Sequence, residues 1–276
     1  MQLYDIFQQK LIIQSYEIYQ QHSLDIIAFI WFIVWTQGYS IYTNSERGKK
    51  GSLHYVMNGH RKLWIGNMLY REIADRLADT RLLDSLFRMS TFFASTCTIL
   101  FSVLFTTIVP KQEVQDLLAK VPFAVSYDSM TWSLKTLFIM SIFIFVIFKN
   151  TWVSRQTWEA SQLILGADVF DKESENKGFY NSKRDKICAL VSNATSHHNT
   201  AIRAFYFGFI SITWYVNPIF FMIGTIWLLW VVYRREYRSK AYALSNTDHP
   251  SVLLSTNMEK TELPKWKCFT SSWFLF

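Results

Sequence analysis

Thr131 to Trp152 reads TWSLKTLFIMSIFIFVIFKNTW, and Lys135 and Lys149 are its only charges. An apolar run of about 20 residues matches a hydrocarbon core about 30 Å thick, at about 1.5 Å of helix per residue. A surface helix of a soluble domain carries a polar face, and this run has none. Two comparable runs precede it, Leu24 to Tyr42 and Phe87 to Pro110. A fourth apolar tract, Ala204 to Tyr233, is broken by Asn217-Pro218.

The basic residues between the runs orient the chain. One Lys or Arg precedes the first run, 8 fall from Asn44 to Leu86, 2 from Lys111 to Met130, 8 from Lys149 to Arg203 and 7 from Arg234 onward. Cytoplasmic loops of membrane proteins hold the excess of Lys and Arg. The expected fold class is therefore all-α, a polytopic membrane helical bundle with its N-terminus outside and its basic loops and C-terminus in the cytoplasm. Composition agrees: aromatics reach 17 % and charged residues only 18 %, against about 25 % charged in soluble domains. The net charge of +7 raises nucleic acid as a partner. Topology and anionic headgroups already account for basic residues beside apolar runs, so the expected partners are the lipid bilayer and a membrane protein or a second copy, not nucleic acid. Cys97, Cys188 and Cys268 form no CxxC or paired framework, and no disulfide is expected. No cleavable signal pattern opens the chain, and the first run is read as a retained anchor.

The broken tract decides the number of crossings. As one helix, Ala204 to Tyr233 would measure about 45 Å at about 1.5 Å per residue, too long for a usual tilt. It would also place Arg234, Arg235 and Arg238 outside, against the positive-inside bias. A turn at Asn217-Pro218 removes both problems. Five spans are expected, at about 24–42, 87–110, 131–152, 200–216 and 219–235; the alternative is four, with a Pro-kinked last helix.

Outside the spans, residues 1–22 have helical apolar spacing and are expected as an amphipathic helix at the outer interface or an extension of the first span. A cytoplasmic helix is expected from Arg61 to Arg88, with Glu72–Arg76 and Asp84–Arg88 as favourable i,i+4 pairs. Residues 168–186 read as a polar, mobile loop with helix resuming near Asp185, and residues 242–276 as a polar tail.

Chemistry-bearing residues are sparse. GxSxG, GxxxxGK[ST] and GxGxxG are absent, so no enzyme, cofactor or metal is expected. His197-His198, with His54 and His60, lack HxxxH or HExxH spacing, which weakens a haem or metal reading. Arg76 and Asp79 sit in an interleaved charged series that reads as a solvated face, unless they are buried among the spans, where such groups become functional candidates. Ser90, Thr91, Ser95, Thr96 and Thr98 give the second span a hydroxyl-rich character, suited to close helix packing or to lining a polar path. Lys135 is expected to snorkel. The candidate polar positions are Arg76, Asp79, Ser95, Thr96, His198, Arg203, Asn217 and Pro218.

Arg76-Leu77-Ala78-Asp79-Thr80, followed by Phe92-Phe93-Ala94-Ser95-Thr96, resembles the central signature of a bacterial membrane family known as domain of unknown function 599. Trp152 to Ala167, Arg203 to Phe207, Trp214 to Pro218 and Tyr233 to Ala241 agree with it in order, over roughly residues 25–242. The resemblance implies a bacterial inner-membrane protein of several helices and implies no activity. Its members commonly have His before the proline, where this chain has Asn217. The resulting expectation is a non-enzymatic scaffold or accessory subunit of a membrane complex. Its alternatives are a small-solute or ion transporter or channel working as an oligomer and, more weakly, a haem-binding redox protein.

Overall fold

The computed structural model describes residues 2–45, 47–48, 51–109, 114, 120–125, 127–167, 169 and 177–247, with side chains from residue 23 onward except those of 177, 246 and 247. Helix α1 runs from Gln2 to Asn44 without a break. No Gly or Pro occurs before Gly38, so nothing interrupts the backbone ladder between the N-terminal stretch and the first span.

Helix α2, Leu53–Leu69, starts at Ser52, whose hydroxyl accepts from the Tyr55 amide at 3.2 Å. Helix α3 follows from Ile73 to Thr106. The single helix expected from Arg61 to Arg88 is thus divided at Tyr70–Glu72, where Glu72 is extended (φ −60°, ψ 156°). The apolar spacing continues across the break, which hides it from periodicity. The side chain of Arg76 supplies the reason: it binds the carbonyls of Leu69 and Arg71 that the break leaves without amide donors.

Helix α4 is Ser129–Leu165, capped at its start by Asp128. Helix α5 is Lys177–Ile212, beginning eight residues before Asp185; the residues between 169 and 177, in the expected loop, lie outside the described residues. A 3-10 turn, Thr213–Tyr215, leads to α6, Pro218–Tyr237. A short helix α7, Lys240–Thr247, then docks on α2, with His60 Nε2 at 3.3 Å from the Ser245 carbonyl. The expected polar tail therefore begins with a packed helix; its remainder, from residue 248, lies outside the described residues, as does most of Lys111–Leu118.

Among the described residues, four helical stretches are long and apolar enough to cross a membrane: Ser23–Asn44, Ile73–Thr106, Ser129–Leu165 and Pro218–Ser245. Side-chain contacts give their directions. The Trp132 indole donates to the Thr107 carbonyl at 2.9 Å, and Lys149 meets His197 at 3.4 Å. Phe32 stacks on Phe221 at 5.3 Å, and Tyr42 meets Tyr237 at 5.8 Å. Helices α1, α4 and α6 therefore run one way, α3 and α5 the other. The tract Ala204 to Tyr233 is a hairpin, not a kinked helix: Phe221 stacks on Trp214 at 4.9 Å across the turn, and Gly224 faces Ile210. Asn217 makes the turn by accepting from the Ile219 amide at 2.8 Å, with Pro218 in the first turn of α6, where its missing N–H costs nothing.

Among the described residues, three buried clusters draw on α4 and α5, one of them tying Cys97 of α3 to Ile139 and Phe143. Near the hairpin, aromatic residues dominate, with Phe32, Phe207, Trp214 and Phe221 buried together. Beyond Lys149, Ile65, Met68, Leu83, Ile164 and Ile187 bury an aliphatic core among α2, the start of α3, the end of α4 and the start of α5.

Candidate functional site

At the hairpin end an ion pair is buried. Lys135 is 2 % exposed, and its ammonium lies 2.8 Å from Asp25 Oδ1. The same oxygen accepts from the Trp214 indole at 2.8 Å. The ammonium also sits 3.2 Å from the centroid of the Tyr127 ring, and the Tyr127 hydroxyl donates to the Trp214 carbonyl at 3.3 Å. Below this, Thr136 and Tyr215 share a hydrogen bond of 2.6 Å. Snorkelling, expected for Lys135, does not occur, because a carboxylate and an aromatic face replace water around the ammonium. Asp25, Tyr127 and Trp214 were not among the sequence candidates. A single acid at the start of an apolar run was the available signal, but only the fold places it opposite Lys135.

Arg76 is fully buried at the other end. Its guanidinium donates to Arg71 O (3.0 Å), Leu69 O (2.8 Å), Ile164 O (3.3 Å) and Ala167 O. These carbonyls belong to the C-terminal ends of α2 and α4, which carry partial negative charge. One side chain thus caps two helices. Asp79 accepts from Arg71 at 2.7 Å and from the Trp64 indole at 3.3 Å. The expected surface pair Asp84–Arg88 is present at 2.7 Å. Arg76 is not part of a solvated face; both it and Asp79 hold the α2–α3 break in place.

The histidines are dispersed. His198 is 5 % exposed and lies 3.2 Å from the Ser90 hydroxyl. Because that hydroxyl donates to Leu86 O at 2.9 Å, His198 Nδ1–H is the donor to Ser90. His54 Nδ1 faces the Asn199 amide at 3.4 Å, and burial holds this imidazole well below its usual range, at about 4. Among the described residues, no group of three His, Cys, Asp or Glu side chains is placed to hold a metal.

Ser95 and Thr96 do not line a path through the bundle. Thr91, Ser95, Thr98 and Ser102 recur at spacings of four, three and four, and all four are exposed. The hydroxyls of Thr91, Thr96, Thr98 and Ser102 each donate to the carbonyl four residues back. Exposed Phe92, Ile99 and Val103 border this row.

Arg203 borders a cavity of about 60 Å³ between α1, α4 and α5, with Thr36, Tyr39, Ser40 and Thr200 as its polar lining and Phe32, Ile142 and Phe207 among its apolar walls. The guanidinium donates to Thr200 at 3.2 Å and lies 5.8 Å from the Tyr39 ring centroid. Asn217 donates to the Phe123 carbonyl at 3.1 Å, tying the hairpin to the segment before α4. The eight sequence candidates thus occupy separate places: Arg76 and Asp79 at the helix break, Ser95 and Thr96 on the outside of α3, His198 against Ser90, Arg203 at the cavity, Asn217 and Pro218 in the turn.

The family model for a protein of unknown function, DUF599, matches residues 27–241. The chain belongs to that family, and is a multi-pass membrane protein by the length and hydropathy of its helices. No curated protein and no solved structure matches it.

Proposed function

We propose that this member of a family without an assigned activity is a non-enzymatic accessory or scaffold subunit, which associates with another membrane protein or a second copy through the outward face of α3. The proposed setting is a bacterial inner membrane, with five crossings, the N-terminus outside and the basic end, where α2, Arg234 and Arg235 lie, in the cytoplasm. The basic-residue asymmetry along the sequence supports that orientation.

The observation that carries the docking reading is the row Thr91, Ser95, Thr98 and Ser102. Small side chains let helix backbones approach closely in lipid, where apolar surface alone gives no preference for protein over hydrocarbon. Spacings of four and three follow the seam of a left-handed helix pair. The hydroxyls of Thr91, Thr98 and Ser102 are already satisfied within α3, so a docked helix gains close packing without stranding those donors. Two cysteine variants, Ser95→Cys and Thr98→Cys, should form cross-linked species in native membranes, while Val103→Cys should do so more weakly. Gentle detergent extraction should also recover α3-dependent assemblies that Thr98→Trp disperses. A protein that extracts as a lone monomer, with no cross-link at either position, would sink the proposal.

A competing reading, transport of a small solute or ion, draws support from the buried Asp25–Lys135 pair, since ionisable groups among membrane helices often mark pathways. Flux in proteoliposomes that disappears in Asp25→Asn while the fold persists would favour it over docking.

A further inference from the structure

We propose that the cavity at Arg203 binds one anionic phospholipid, its phosphate against the guanidinium and an acyl chain leaving between α1 and α4. Arg203 stands inside the apolar level of the bundle. Tyr42, Tyr233 and Tyr237 cluster further toward the basic end, at ring-centroid separations of 4.9 to 6.4 Å, forming the aromatic belt expected at a membrane–water boundary. On α1, Tyr39 precedes Tyr42 by just under one turn, which sets Arg203 slightly inside that belt.

An arginine at such a depth requires a partner. Arg203 contacts the Thr200 hydroxyl and the side chain of Tyr39, both neutral groups, and among the described residues no carboxylate forms a salt bridge with it. Glu236 is the nearby acid; it accepts from the His54 amide at 3.3 Å instead. A guanidinium offers five N–H donors in a fork that matches phosphate, and the Thr200 contact uses one of them. Thr36 and Ser40 add hydroxyls to the same cavity, although the Thr36 hydroxyl already donates to Phe32 O at 2.7 Å. The space suits a small anionic group and not a whole lipid. Phe32, Ile142 and Phe207 make the walls apolar, as an acyl chain requires and a free inorganic anion does not. The site takes nothing from α3 and is independent of the docking proposal.

The test uses the full chain purified in mild detergent and titrated with phosphatidylglycerol, phosphatidylcholine and inorganic phosphate, followed by native mass spectrometry and thermal stabilisation. Phosphatidylglycerol should bind about tenfold more tightly than phosphatidylcholine, one decade corresponding to about 1.4 kcal/mol. Arg203→Gln should remove that preference. Ala204→Phe, which fills the cavity and keeps the charge, should weaken both lipids. Arg234→Gln, on a cation that lies over Trp230 at 5.6 Å and not at the cavity, should leave the preference intact. Equal binding of both lipids by the unaltered protein overturns the proposal without reference to any variant. Displacement of phosphatidylglycerol by equimolar inorganic phosphate overturns the assignment of a lipid.

Discussion

Arg76 and Lys135 are both buried cations, and the two ends of the molecule accommodate them differently. At the hairpin end, among aromatic side chains, the ammonium of Lys135 meets a full countercharge on Asp25. In the aliphatic region beyond Lys149, the guanidinium of Arg76 meets backbone carbonyls from the ends of α2 and α4. Lysine is a point charge and suits one carboxylate; arginine is a planar fork and can serve several carbonyls at once. Where helices end, their unsatisfied carbonyls offer a distributed negative partner. At the hairpin α5 also ends, and the Lys135 ammonium reaches the Trp214 carbonyl at 3.5 Å, but its close partner at 2.8 Å is the Asp25 carboxylate.

If the carbonyl cage carries the Arg76 charge, Arg76→Leu should have the largest effect. It should cost about 3–5 kcal/mol, because four carbonyls lose their donor and the α2–α3 break loses its clamp. Thermal unfolding in detergent and proteolysis near Tyr70 should both register the loss. Arg76→Lys should rescue little of it, since an ammonium cannot span the two helix ends.

Asp25→Ala comes next, at about 3 kcal/mol, since it leaves Lys135 buried and unpaired. The double variant Asp25→Leu with Lys135→Met should recover most of that stability. If the double variant is as unstable as the single, the charge pair is not what holds this end together.

A smaller effect should come from pH. The His54 imidazole sits at about 4 in the folded protein, against an ordinary value of 6.5, owing first to burial and then to Arg61 and Arg203. The unfolded chain therefore takes up the proton first. The stability His54 contributes is complete above about pH 6.5 and is lost as pH falls toward 4. That contribution should disappear progressively across the window, as a falling thermal midpoint. Subtracting the same titration of His54→Gln isolates this part from the carboxylates.

The smallest change is expected for Asn217→Ala, at about 1 kcal/mol, the usual cost of a lost helix cap. Retained stability and altered lipid or solute binding in that variant would instead argue that the turn has a role beyond capping.

Much of the membrane architecture was legible in the chain because hydrocarbon imposes a length and a composition on each helix, and both are written in consecutive residues. The Ala204 to Tyr233 hairpin was favoured for the same reason, over a Pro-kinked helix, since the tract is too long for one crossing and is followed by Arg234 and Arg235. The break at Tyr70–Glu72 was not: Ile65, Leu69, Ile73 and Leu77 keep helical spacing across it. The hydroxyls of α3 were noticed as a group, but whether they faced inward depended on neighbours. In the most apolar stretches, 11 % of α3 is buried against 44 % of α4, a contrast that hydropathy alone conceals because lipid and protein interior are equally apolar.

Local composition and the spacing of charges were enough for an all-helical membrane chain, for a favoured reversal at Asn217-Pro218 and for the positions of its basic segments. That Asp25 meets Lys135, that Arg76 closes two helix ends and that Arg203 borders a cavity came from the packing of distant segments. Arg76 and Ile164 stand 88 positions apart, Asp25 and Lys135 110, and Arg203 and Tyr39 164, and polar groups in an apolar medium are defined by the partner they find.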